Sequence, residues 1–157
     1  MRRKYAVIGL GSFGYWVART LFNSHQETIA IDMDKEQVQK INKFSSMAVI
    51  ADVTNKETLV GLGLADCDAA IISLGDHPAA STLATLYLHE MGVKQILVKA
   101  LDENHAKILR KVGATDIIRT AEAAANRAIR REGNRMGAVT PVNQTAEFGS
   151  WPGELGG

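Results

Sequence analysis

Tyr5-Ala-Val-Ile-Gly-Leu-Gly-Ser-Phe-Gly14, followed by a helical pattern and then Thr28-Ile-Ala-Ile-Asp32, is the stretch that decides the fold. It reads as strand, glycine loop, helix, strand and acid, the order of a βαβ unit that holds a dinucleotide. Gly9 permits the sharp turn out of the first strand. Gly11 removes the Cβ that would keep a diphosphate off the backbone, and Gly14 lets the helix lie close to the sheet. Free N–H groups at the helix start then face the phosphates, helped by the positive end of the helix dipole. Leu10, Ser12 and Phe13 complete the loop and count with it as candidate binding residues. Asp32 closes the second strand at the spacing where a carboxylate accepts from a ribose 2′-hydroxyl, with Met33 beside it. The same carboxylate repels a 2′-phosphate, so NAD is expected to bind better than NADP. A glycine turn kept only for packing would show the same three glycines. The preceding strand, the following helix and the acid are what favour a ligand.

The 157 residues suit one domain, and a hydrophobic content of 46% is enough for a sizeable core. A net charge of +1 gives no bulk electrostatic case for nucleic acid or an anionic membrane. The apolar runs are strand-length, far short of a membrane span. The basic start Met1-Arg-Arg-Lys4 precedes an apolar stretch too short and too glycine-broken for a signal peptide. The single cysteine, Cys67, leaves no internal disulfide and fits a reducing cytoplasm. It begins an apolar run with no basic partner nearby, the setting of a buried, inert thiol.

Apolar runs alternate with helical patterns along the chain. The strands are expected at residues 5–8, 28–31, 47–50, 69–73, 95–98 and 116–118. Several are continuous Val- and Ile-rich runs, as strands buried on both faces should be. Helices are expected at 13–23, 35–44, 56–62, 79–91, 103–112 and 122–131, with Asp34 as an N-cap and Gly92 and Gly113 as C-terminal glycines. This alternation predicts an α/β fold: a Rossmann-like, doubly wound parallel sheet covered by helices on both faces. The nucleotide-binding domain is expected over residues 1–132. Residues 133–157, with six glycines and two prolines, read as a poorly ordered tail in which Phe148 and Trp151 are the large aromatics.

In such a sheet, function lies at the carboxyl ends of the strands. The third strand gives Asp52, Val53 and Thr54, where Asp52 can border a ribose or serve only in a turn. The fourth gives Gly75, which allows backbone to approach a ligand closely, and the fifth gives Lys99, which points into the crevice or snorkels to its edge. His25, His77, His89 and His105 lack metal-ligand spacing and read as solvated or capping groups, so no metal site is expected. No serine elbow, no Tyr-x-x-x-Lys pair and no assembled acid–base pair is present, and no second domain to present a substrate is evident. A binding module is therefore expected rather than an enzyme, with a small NAD-dependent oxidoreductase, or a fragment of one, as the alternative.

Further segments carry a more specific likeness. They are Ala51-Asp-Val-Thr54, Ala70-Ile-Ile-Ser-Leu-Gly75, Ala80-Ser-Thr-Leu-Ala-Thr-Leu-Tyr87, Ile96-Leu-Val-Lys-Ala100 and His105-Ala-Lys-Ile-Leu-Arg-Lys-Val-Gly-Ala-Thr-Asp116. With the glycine loop and Asp32, this ordered set resembles the RCK or KTN (TrkA-N) domain of Trk-A and Ktr-A type regulators of potassium uptake. Dehydrogenases share its first two segments and not the later ones. The resemblance implies binding of NAD(H) or ATP/ADP. It implies dimers that assemble into rings on a membrane potassium channel or transporter, and a cytoplasmic location peripheral to the inner membrane without insertion. By the same resemblance Gly9, Gly11 and Gly14 line the diphosphate, Asp32 holds the adenosine ribose, Asp52 borders the adenosine pocket, and Lys99 reaches toward the ligand. Helix 79–91, with Leu83, Leu86, Tyr87 and Met91, would serve subunit contacts or the core. The chain departs from the family at Ser12, where several members have an arginine that meets a terminal phosphate. It departs again at Arg119-Thr-Ala-Glu122, where a Pro-Glu pair is common, and the glycine-rich end does not resemble the second RCK domain of most members.

Overall fold

The computed structural model describes residues 2–119 and Ala128. Over residues 2–119, six strands and five α-helices alternate: β1 Lys4–Ile8, α1 Ser12–Asn23, β2 Glu27–Asp32, α2 Lys35–Ile41, β3 Met47–Ile50, α3 Lys56–Gly61, β4 Ala69–Ile72, α4 Pro78–Glu90, β5 Gln95–Lys99, α5 Glu103–Val112 and β6 Asp116–Ile118. The strands form one parallel sheet in the order β3-β2-β1-β4-β5-β6. The chain steps outward from β1 to β3, returns to lay β4 on the other side of β1, and steps outward again. The switch of direction between β1 and β4 opens a crevice at their carboxyl ends.

Side-chain alternation divides the core in two. Ala6, Ile8, Ile29, Ile31, Ala70, Ile72, Ile96 and Val98 face Leu59, Ala84, Leu88 and Leu109 of α3, α4 and α5. Val7, Ala30 and Ile71 face Ala18 of α1 and Val38 and Ile41 of α2. A strand in the middle of such a sheet must be apolar at consecutive positions, which is why β4 reads Ala-Ala-Ile-Ile and is buried throughout.

Helix boundaries follow local chemistry. Asp34 accepts from the Glu36 N–H at 2.9 Å, Asn55 from Thr58 at 3.3 Å and Asp102 from His105 at 2.8 Å, so each of the three helix starts has an N-cap side chain. Pro78 opens α4, where its missing N–H costs nothing. The helix expected over 35–44 tightens at Ile41 into a 3₁₀ turn, Asn42–Phe44, and a second 3₁₀ turn, Leu64–Asp66, had no periodic signal. Leu83 is exposed on α4, whereas Tyr87 and Met91 pack on the core. Cys67 is buried, and burial pushes its thiol up to about 11, against the pull of Lys4. Among the described residues no helix is long and apolar enough to cross a membrane. The expected helix 122–131, Glu122 and the tail 133–157 lie outside the described residues.

Candidate functional site

The glycine loop is shaped by its neighbours. Gly9 takes φ +92°, and its N–H donates to the Ile31 carbonyl at 2.9 Å. A Cβ on Gly9 would fall on the carbonyl oxygen of Ser73, and one on Gly14 would fall on the carbonyl oxygen of Gly9. Both obstructions are backbone, so only glycine fits either position. Gly11 is the N-cap of α1 in extended conformation and offers no side-chain cap, and the first turn of α1 holds no acid. The leading N–H groups of α1 therefore meet the crevice with the helix dipole uncompensated, an arrangement suited to an anion.

Not every loop residue presents its side chain there. Leu10 is fully buried in the α1–α2 cluster, and Phe13 packs against that cluster, so neither side chain is presented as a binding group. Ser12 is exposed. Val53, expected beside Asp52, buries its side chain in the α3–α5 cluster instead. The loop pattern has no period from which such directions could be read.

Asp32, expected as a ribose acceptor, is engaged within the fold itself. Its Oδ2 accepts from the Leu10 N–H at 2.7 Å, and its Oδ1 accepts from the Asp34 N–H at 2.8 Å. The carboxylate thus ties the end of β2 to the glycine loop. Each carboxylate oxygen has a second acceptor position, so the same group can still receive ribose hydroxyls. Met33 beside it is 67% exposed. Asp52 is exposed and closes a turn: its Oδ1 accepts from the Thr54 hydroxyl at 2.6 Å and the Thr54 N–H at 2.9 Å. These bonds, the hydroxyl first, hold its carboxyl below the usual range. Gly75 follows β4 with φ +52°, and Lys99 is the half-buried last residue of β5.

These positions share one edge of the sheet but not one spot. Asp52, Asp32, the glycine loop, Gly75 and Lys99 follow β3, β2, β1, β4 and β5 in that order. At about 4.8 Å per strand, Asp52 and Lys99 stand roughly 19 Å apart across the sheet. The glycine loop and Asp32 are neighbours; Lys99 is within reach only of a ligand that extends across β4. An uncapped helix start, packed backbone-to-backbone against the strand ends through Gly9 and Gly14, and a carboxylate one strand away fit the diphosphate and ribose of an adenine nucleotide.

One polar group escaped the sequence reading and a second was misplaced by it. Ser73, one residue past β4, is 1% exposed, and its hydroxyl has no hydrogen-bond partner among the described residues. A serine closing an apolar strand was its only signal. His105 is buried rather than solvated or capping with its ring, which corrects the expectation. Its Nδ1 accepts from the Leu101 N–H at 2.9 Å, and its Nε2 faces Ser81 Oγ at 3.1 Å and Thr82 Oγ1 at 3.3 Å. Both hydroxyls donate to the Pro78 carbonyl, so the network assigns the neutral ring with its proton on Nε2. Burial lowers its pKa, opposed by the nearby Asp102 carboxylate. His25, His77 and His89 are exposed.

The topology defines a doubly wound, Rossmann-like α/β domain. Residues 5–120 match the TrkA-N domain family, and the chain belongs to that family. It is 40% identical over 127 residues to the Ktr system potassium uptake protein C of Bacillus subtilis, covering 81% of this chain and 58% of that protein. It is 41% identical over 116 residues to the Ktr system potassium uptake protein A of Vibrio alginolyticus, covering 74% and 53%. The chain thus spans little more than half the length of either relative. The GsuK channel bound to NAD shares the fold at a TM-score of 0.65 and 17% identity, over 75% of this chain and 21% of the channel chain. Its ADP-bound structure gives the same score and identity over 76% and 31%.

Proposed function

We propose that this chain is a nucleotide-binding regulatory domain of a potassium transport system, taking NAD(H) or ATP/ADP and acting by binding rather than by turnover. The uncapped start of α1, held by Gly9 and Gly14 against the carboxyl ends of β1 and β4 with Asp32 alongside, carries the reading. The Ktr relatives, both potassium uptake proteins, support the transport role, and the NAD and ADP complexes of the similarly folded GsuK channel support the ligand class. The partner is a membrane potassium channel or transporter. The domain works as a dimer assembling into a ring on the cytoplasmic side, peripheral to the inner membrane. Regulation then requires that the ligand bind two arrangements of the assembly unequally.

Calorimetric titration of the 157-residue chain with ADP, ATP, NAD, NADH and NADP tests the reading. Saturable binding of at least one of the first four is the expected result, with NADP weakest because Asp32 repels its 2′-phosphate. Failure of all of them to bind a folded sample refutes it. Lys99→Ala separates the ligands: it should weaken a dinucleotide and leave ADP unchanged, since Lys99 stands beyond β4 from the Asp32 end.

A further inference from the structure

Ser73 is the one buried side-chain polar atom among the described residues that lacks a hydrogen-bond partner. Buried hydroxyls are nearly always paired, because an unpaired one loses its hydration and gains nothing in return. The Ser73 backbone is held between β1 and the glycine loop. The Ser73 N–H donates to the Ile8 carbonyl at 2.8 Å, and its carbonyl oxygen occupies the space that a Cβ on Gly9 would need. Ser73 is thereby packed against the glycine loop, with its hydroxyl unpaired beside it.

Alternation along β4 sets the direction of that side chain. Ala70 and Ile72 belong to the α3–α5 cluster and Ile71 to the α1–α2 cluster, so position 73 falls on the α1 side. That is the side on which α1 begins, with no capping side chain. An unpaired buried donor and an uncapped helix start therefore adjoin at one place in the fold.

We infer that Ser73 is a diphosphate-binding residue: when a nucleotide occupies the start of α1, the glycine loop yields and the Ser73 hydroxyl donates to a diphosphate oxygen. This rests on the nucleotide-binding reading above and names a further contact within that site. The unpaired hydroxyl burdens the nucleotide-free arrangement, and the bound arrangement removes that burden. It is an interaction that differs between two states, which is what a ligand needs in order to shift their populations.

The test measures ADP and NAD affinity for the wild-type chain, Ser73→Ala and Ser73→Cys, together with the thermal midpoint of each nucleotide-free protein. Ser73→Ala should melt higher than wild type when free, and bind both nucleotides about fivefold more weakly or worse. Ser73→Cys leaves no cavity but is a weak donor, so it should follow alanine in affinity and exclude a cavity as the cause. Wild-type affinity in Ser73→Ala overturns the inference, and so does a free Ser73→Ala that melts lower than wild type, because the hydroxyl would then already have a partner. A wild-type chain that binds neither nucleotide removes the nucleotide site itself, an outcome distinct from the other two.

Discussion

Asp32→Asn is the sharpest perturbation available, because it changes one atom and asks two questions. The carboxylate accepts from the Leu10 N–H at 2.7 Å with one oxygen and from the Asp34 N–H at 2.8 Å with the other. Asparagine has one oxygen and one NH₂ group, so one of these N–H groups must face another donor. Losing a hydrogen bond to a charged group costs about 1.5–3 kcal/mol, and the half-exposed position favours the lower end. The surviving bond weakens from charge-assisted to neutral, adding roughly 0.5–1 kcal/mol. The sum is about 2–3 kcal/mol, which for a domain of this size lowers the melting midpoint by about 8–12 °C. Urea and thermal unfolding followed by circular dichroism measure it, and calorimetry with ADP below the new midpoint reads the site. ADP affinity should fall about tenfold or more, because the amide can no longer receive two ribose hydroxyls while holding the loop. A wild-type midpoint would refute the claim that Asp32 pins the glycine loop. A wild-type ADP affinity in the folded variant would remove Asp32 from the ribose site.

Two further outcomes follow from the geometry. Gly14→Ala sets a Cβ on the Gly9 carbonyl oxygen, where no flexible side chain can give way. It should cost about 1–3 kcal/mol in urea unfolding and abolish measurable nucleotide binding, and wild-type stability would show that the start of α1 is not held against its loop. His105 is held neutral in the fold, with burial lowering its pKa below the unfolded value of about 6.5. The unfolded chain then binds more protons, so the stabilisation is complete above that value and is lost as pH falls through the folded one. His105→Asn should flatten the fall of stability as pH drops below about 6.5 while lowering stability at pH 8; an unchanged slope would show that His105 does not titrate on unfolding.

Much of this fold was legible in the chain. The strands are short Val- and Ile-rich runs, the helices end at residues such as Gly92 and Gly113, and Asp34 caps α2 as its position suggested. The glycine spacing with Asp32 marked where the helix start, the tight turn and the strand-end carboxylate come together, because close backbone approach and a strand-end acid are local demands, written in residue type. Side-chain direction in irregular segments was not legible. Leu10, Phe13 and Val53 stand in the motif or its neighbourhood yet turn into the core, since a loop has no period to tell one face from another.

Long-range partners were equally hidden. His105 looked like a helix-start residue, and it is one through its backbone N–H, but its ring is buried against Ser81 and Thr82 more than twenty residues away. Ser73 looked like the tail of an apolar strand until the sheet wedged it against Gly9. Asp32 read as a ribose acceptor, and only the fold showed it gripping the loop it faces. The sequence by itself therefore determined the order of elements, the glycine cradle and its acid, because propensity, turns and caps act over a few residues. The tertiary structure decided which polar groups are buried and what they touch, because burial and cross-strand contact depend on residues that only the sheet brings together.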